Sequence, residues 1–291
     1  MPIISVVIPS FNCTAYICSA IDSILTQIMQ DFDIIVVDDG STDSTREVLG
    51  RYSQENRVRY IYQENRGLPG ARNTGARAST AKYVAFLDAD DMLTPDALSM
   101  MSDTLDASGE SWCVTDILKI NGNSREIHRT EMPDGDLFYG ILKDDFIRRG
   151  MFFRREDILA VGLYDESMKN REDWDLNIRM IESGRSFTYV PKPLYLYSWR
   201  EGSITTGNQA TMLSYTEQLL RKHHKRLADA GNLEGAKVYA ETMWGLARNH
   251  FYMTRNFRKA FLCVKESLAY DPSPRRLFHP VIQQFQRLRA N

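Results

Sequence analysis

Four short apolar runs alternate with amphipathic stretches across residues 3–87, and this alternation constrains the fold more tightly than any other feature of the chain. Residues 3–8 are mostly β-branched and meet Pro9, which offers no backbone donor, so they read as a buried strand that closes in a loop. Ile17, Ile21, Ile24, Leu25 and Ile28 recur at helical spacing. Residues 32–37 form the second buried strand, and the turn run 38–43 can cap a helix over about 44–53. A third strand spans 58–62, a helix lies within 67–80, and a fourth strand at 83–87 runs directly into Asp88. Strands interleaved with helices at this spacing predict an α/β fold on a mostly parallel, doubly wound sheet. From about 110 to 200 the alternation weakens, and after about 211 the pattern is helical to the end. There Trp244, Phe251, Ala260 and Pro272 fall at the offsets of one tetratricopeptide-type helix pair. A solenoid needs about three such repeats, so a helical hairpin is expected.

Polar residues gather where the first, second and fourth strands end. In open α/β sheets ligands bind outside the carboxyl ends of the strands, so the loops at 9–12, 38–41 and 88–91 are expected to border one crevice. With 43% hydrophobic and 25% charged residues, the chain is neither disordered nor collagenous. No apolar run approaches the roughly 18–20 residues of a spanning helix. The start lacks a basic n-region and a small-residue cleavage site, so no signal peptide is expected. Cys13, Cys18, Cys113 and Cys263 are scattered, and they read as reduced thiols of a cytoplasmic protein rather than a zinc site or disulfide framework. The net charge of −2 hides an asymmetry: residues 214–291 carry 14 Lys+Arg against 6 Asp+Glu, whereas residues 1–213 carry 22 against 32. An acidic front suits cations; a basic tail suits anionic surfaces or is simply a charged helical face.

Four segments offer chemistry. Asp88-Ala-Asp90-Asp91 follows an apolar strand, where two carboxylates can turn toward a hard divalent cation, or can equally form a solvated turn. Asp38-Asp39-Gly40 can accept a donor from a base or ribose, or cap the next helix. In the segment from Arg66 to Gly75, glycines permit close backbone approach, and Arg72 lies near a helix start, a position that suits phosphate. Glu172-Asp173 opens an amphipathic helix, either as dipole compensation or as a general base within reach of an acceptor proton.

Taken together, these segments resemble the family-2 glycosyltransferases, inverting enzymes of the glycosyltransferase-A fold. The resemblance rests on Ser5-Val-Val-Ile-Pro-Ser-Phe-Asn12, Ile35-Val-Val-Asp-Asp-Gly-Ser-Thr-Asp43, Asn65-Arg-Gly with Ala71-Arg-Asn-Thr-Gly75, Val84-Ala-Phe-Leu-Asp-Ala-Asp-Asp91, Gly162-Leu-Tyr-Asp-Glu166 and Glu172-Asp-Trp-Asp175. Order and spacing match over roughly the first 205 residues. The resemblance implies that Pro9 and Phe11 line the nucleobase pocket and that Asp39 binds the base, typically uracil. It places Arg72 at the diphosphate, Asp88 and Asp90 at ribose and a Mg²⁺- or Mn²⁺-bridged diphosphate, and Asp173 as catalytic base with Glu172 beside it. Arg200 and Ser203 fit a loop that closes over the diphosphate, although Ser198 stands where relatives frequently carry arginine. The resemblance further implies a nucleotide-binding half at 1–110, an acceptor half at 111–210 and a helical region at 211–291. It implies a UDP-linked donor, a glycan or lipid-linked glycan acceptor in cell-surface polysaccharide synthesis, and no nucleic acid partner. Val281, Ile282, Phe285 and Leu288, with Arg287 and Arg289, suit a helix lying on the inner membrane face or pairing the C-terminal helices of two copies.

An aspartyl phosphatase also uses a strand followed by D-x-D, but normally on its first strand and with Thr or Val where Leu93 stands here. A nicotinamide dehydrogenase lacks support because no G-x-G-x-x-G follows the first strand. A non-catalytic nucleotide-sugar-binding module is the remaining alternative.

Overall fold

The computed structural model describes residues 1–147, 152–200 and 209–272. They separate into two compact units, the first holding residues 1–141 and 145–200 and the second residues 142–144 and 209–272. The first unit opens with β1 (Ile4–Ser10), α1 (Ile17–Leu25), β2 (Phe32–Asp39), α2 (Thr45–Leu49), β3 (Val58–Gln63), α3 (Leu68–Ala78) and β4 (Tyr83–Phe86). Its four strands pair in parallel in the order β3-β2-β1-β4. Then follow β5 (Met92–Leu93), α4 (Ala97–Ser108), β6 (Trp112–Asn121), β7 (Ser124–His128), α5 (Leu137–Lys143), β8 (Phe152–Arg154), α6 (Arg155–Ala160), α7 (Glu172–Glu182) and β9 (Phe187–Ser198). The sheet continues β4-β8-β6-β9-β5, with β7 hairpinned onto β6. Here β8 runs antiparallel to both neighbours, and β5 runs antiparallel to β9. The fold is therefore α/β, parallel in its first half and mixed where the sequence alternation weakens.

The first strand does not stop at Pro9 but runs on to Ser10, in register with Val37 and Asp38 of β2. Leu87 N donates to Val7 O at 3.0 Å, so Val7 bonds toward β4. By the two-residue period, Pro9 presents its nitrogen to the same side. There β4 pairs only as far as Val7, and the missing donor costs no ladder bond.

β1 is buried along its whole length, and its two faces pack differently. Ile4, Val6 and Ile8 share a core with Ile17, Ile21 and Ile24 of α1 and with Leu98, Met101 and Leu105 of α4. Val7 points to the opposite face, where a Cβ on Gly75 of α3 would lie 2.3 Å from a Val7 methyl. Glycine at 75 thus lets α3 lie directly on the sheet.

The second unit is helical. α8 (Gln209–Leu220) passes through a widened π turn at Arg221–Lys225 into α9 (Arg226–Asp229). An antiparallel hairpin then forms from α10 (Leu233–Tyr252) and α11 (Phe257–Tyr270). Asn232 and Asn256 cap the two helices, accepting from Gly235 N at 2.8 Å and Lys259 N at 3.0 Å. Ser267 donates to the Ala240 carbonyl at 2.6 Å across the hairpin. Among the described residues, no helix is long and apolar enough to cross a membrane, and all four cysteines are free thiols. Ser203 and the tail helix expected at 281–289 lie outside the described residues.

Candidate active site

The strand ends converge as parallel topology requires. Asn12 adopts a left-handed backbone, φ +52°, which asparagine tolerates better than most residues. Its side chain accepts from Thr42 N at 2.8 Å, and its own N–H donates to Ser41 at 3.0 Å, tying the loop after β1 to the loop after β2. Pro9 is the penultimate residue of β1, and Phe11 projects from the following loop with 48% of its surface exposed.

Asp39 closes β2 and is buried. One of its oxygens accepts from Gln63 Nε2 at 2.6 Å and from Arg66 N at 2.9 Å; the other accepts from Gly67 N at 2.8 Å. It therefore fixes the turn that begins α3. Asp38 accepts from Ser41 N and from the Tyr60 hydroxyl, at 2.9 and 2.7 Å.

Arg72, one turn into α3, is the hub. Its guanidinium is 5% exposed and donates to Asp88 at 2.8 Å, Asp173 at 3.0 Å and Glu172 at 3.1 Å. Its plane lies over the Tyr164 ring, 5.1 Å from the centroid. Burial alone would lower its pKa, but the charges of Asp173, Asp88 and Glu172 outweigh burial and hold it well above the ordinary value. Glu172 and Asp173 open α7, whose positive end favours acidic residues. Burial raises the Glu172 carboxyl to about 7, with the charge of Asp173 adding to it and Arg72 opposing. The Asp173 side chain is the more accessible, 22% exposed against 11% for Glu172.

Asp88, Asp90 and Asp91 follow β4, and one oxygen of each lies within 4.8 Å of the others. Asp91 is fully buried and accepts from the Tyr195 hydroxyl at 2.7 Å and Ser198 N at 2.8 Å, which locks the loop to β9. Asp90 pairs with Arg200, whose guanidinium carbon stands 3.9 Å from the Tyr16 ring centroid. Hard carboxylate oxygens this close could hold a divalent cation; here Asp88 faces Arg72 and Asp90 faces Arg200.

The structure thus joins Arg72, Asp88, Glu172 and Asp173 in one cluster and Asp90 with Arg200 beside it. Asp39 lies apart from that cluster, at the start of α3. Sequence reasoning did not single out three contributors. Tyr164 lies inside the Gly162–Glu166 motif but gives no local sign of stacking on Arg72. Tyr195 heads the stretch that carries Ser198 and Arg200 but gives no local sign of a bond to Asp91, and Tyr16 carries no motif signal. Polar atoms left buried without a partner also point here: Arg72 Nε, the Tyr164 hydroxyl, Arg200 Nε and Ser10 Oγ. A second clasp closes the site from behind. Asn73 donates to Tyr164 O and accepts from Tyr164 N, both at 2.9 Å, and Glu166 accepts from Asn73 and Arg66.

The model of the family described as "Glycosyl transferase family 2" matches residues 5–171. The chain is 31% identical over 205 residues to a chondroitin synthase of Escherichia coli, covering 67% of this chain and 29% of that protein. It is 28% identical over 260 residues to the putative glycosyltransferase EpsH of Bacillus subtilis, covering 83% of this chain and 74% of that one. The chain spans under a third of the length of several curated relatives, the chondroitin synthase among them. Among solved structures, Staphylococcus aureus TarS 1–349 in complex with UDP superposes with a TM-score of 0.64 at 18% identity, covering 88% of this chain and 73% of that one. A mannosyltransferase from Pyrobaculum calidifontis, in complex with GDP-Man and Mn²⁺, superposes with a TM-score of 0.60 at 18% identity, covering 99% and 81%.

Proposed function

The chain belongs to glycosyl transferase family 2, and from that premise we propose that it acts on a nucleotide sugar, transferring a sugar from a UDP-linked donor to a hydroxyl of a glycan or lipid-linked glycan, with inversion. The observation that carries this reading is the Arg72 cluster, in which one buried guanidinium joins the acidic loop after β4 to the acidic start of α7. Leaving-group stabilisation and proton removal must act on opposite sides of one anomeric carbon, and this cluster brings residues suited to both tasks together.

In the proposed reaction, Pro9 and Phe11 flank the base. An ionised carboxylate has about four acceptor sites; Asp39 has three filled by its own chain, which leaves one for a base N–H. The acceptor oxygen attacks the anomeric carbon as its O–H bond breaks, and its proton passes to Asp173. The bond from that carbon to the diphosphate oxygen breaks on the other side, and the electron pair leaves with the diphosphate. Arg72 and Arg200 face the negative charge that develops there. Asp88 and Asp90 would hold a Mg²⁺ or Mn²⁺ ion, which when bound supplies further neutralisation of that charge. The UDP and UDP-GlcNAc complexes of TarS support a UDP-linked donor, and the GDP-Man complex of the mannosyltransferase supplies the competing choice. Residues 1–110 serve the donor in this scheme and 111–210 the acceptor.

A panel of nucleotide sugars, scored by slow donor hydrolysis and by thermal stabilisation with Mn²⁺ or Mg²⁺, tests the proposal. UDP-sugars should stabilise and be hydrolysed, chelator should abolish both effects, and added metal should restore them. Hydrolysis of a GDP-sugar alone would overturn the donor assignment, and full activity in excess chelator would remove the metal.

A further inference from the structure

The tip of the helical hairpin carries apolar surface that the helical unit does not cover. Tyr252 is 67% exposed, Phe257 59% and Phe261 69%, and Phe251, Met253 and Leu262 are exposed beside them. These side chains form a patch: Phe251 meets Tyr252 with ring centroids 5.0 Å apart and Phe257 at 5.1 Å, both edge-on. On α11 the inward positions are Ala260, Cys263 and Ser267, whereas Phe257 and Phe261 stand one turn apart on the outer face. Isolated exposed aromatics are ordinary; a contiguous group at a protruding turn marks an interaction surface.

The charge around the patch selects the partner. Between Glu241 and Glu266 the chain has no acidic residue and five basic ones: Arg248, Arg255, Arg258, Lys259 and Lys265. Lys259 reaches Glu217 at 3.6 Å, so the field at the tip rests mainly on exposed Arg255 and Arg258. A second copy meeting this patch through a two-fold axis would set like charges against each other. The chain's own residues 273–291 are no better suited, since they bear four arginines and no acidic residue. We propose that the α10–α11 tip docks on an anionic lipid surface, its aromatic rings at headgroup depth and its arginines on lipid phosphates. Aromatic rings favour that depth, and long basic side chains can bury their stems while their charges stay at the headgroups.

The proposal is independent of the transfer reaction and is tested without it. The full-length protein is floated with vesicles of phosphatidylcholine alone and of phosphatidylcholine mixed with phosphatidylglycerol. Binding should require the anionic lipid and weaken as salt is raised. Replacing both Arg255 and Arg258 by glutamine should weaken binding by roughly thirtyfold at low salt. The pair Phe257→Ser and Phe261→Ser should weaken it by about tenfold or more, with helix content and donor hydrolysis unchanged. No binding, equal binding of the variants, or equal binding to neutral vesicles would overturn the proposal. Self-association lost in the phenylalanine pair, without vesicle binding, would overturn it in favour of a second copy. Retention on an anionic polymer without vesicle binding would overturn it in favour of a polyanion.

Discussion

Glu172 and Asp173 are adjacent and both bind Arg72, yet they sit in different environments. Glu172 is nearly buried, and burial pushes its carboxyl up to about 7, whereas Asp173 is the more open of the two. A base must reach the acceptor, and in the proposed mechanism the more open Asp173 takes that role. Asp173→Asn should therefore keep donor affinity, measured by calorimetry with UDP, while turnover falls about 10²–10⁴-fold. Wild-type turnover in that variant would remove Asp173 from the mechanism. Glu172→Gln tests the neighbouring residue through stability. The folded-state pKa of Glu172 lies above its ordinary value, so its carboxyl destabilises the fold as pH rises from about 4.5 through 7. The glutamine variant should melt higher than wild type at pH 8 and not at pH 4; a gap that is the same at both would contradict the assignment.

The elements hold these side chains by contacts that tolerate little change. Gly75→Ala would push a methyl into Val7, so α3 must shift from β1, and overpacking of this kind costs about 1–3 kcal/mol. Because Arg72 rides on α3, the variant should lose donor affinity as well as melting temperature; an unchanged melting temperature would show that the helix has room. The acidic loop is held to β9 by the Tyr195 hydroxyl and the Ser198 N–H on Asp91. Tyr195→Phe should weaken metal-dependent UDP binding several-fold, whereas Ser198→Ala should not, because Ser198 donates from its backbone. At this scale the parallel half of the sheet was legible, because β-branched runs and their polar ends are local signals. The strand's passage through Pro9 was not, since it depends on where β4 stops. The antiparallel placement of β8, from a run as short as Phe152–Arg154, was equally hidden. In the site, carboxylates and arginines announced themselves by type and spacing. Tyr164, Tyr195 and Tyr16 did not, because an aromatic ring reads as core until its neighbours are known.

At the scale of the whole molecule, one buried histidine bears on how the helical unit responds to acid. His224 in the π turn is fully buried against the Leu142 carbonyl. Burial, with a smaller push from His223, lowers it to about 4 although the Leu142 bond opposes. A histidine with a depressed folded pKa contributes stability that is complete above its ordinary value of 6.5 and is lost as pH falls toward 4. The full loss is about 3 kcal/mol. Far-ultraviolet melting between pH 7 and 4.5 should show the helical signal weakening, and His224→Met should flatten that dependence; an unchanged slope would place acid sensitivity elsewhere. The Arg72 hub has a consequence for how such chains diversify. Its partners Glu172 and Asp173 lie 100 and 101 positions downstream, and Asn73 and Arg66 reach 91 and 100 positions to Tyr164 and Glu166. A recombination breakpoint anywhere between α3 and α7 separates the buried Arg72 from Glu172 and Asp173. On the proposed division into donor and acceptor halves, the two therefore do not exchange as free modules, and chimaeras that survive should carry both sides of the hub from one parent.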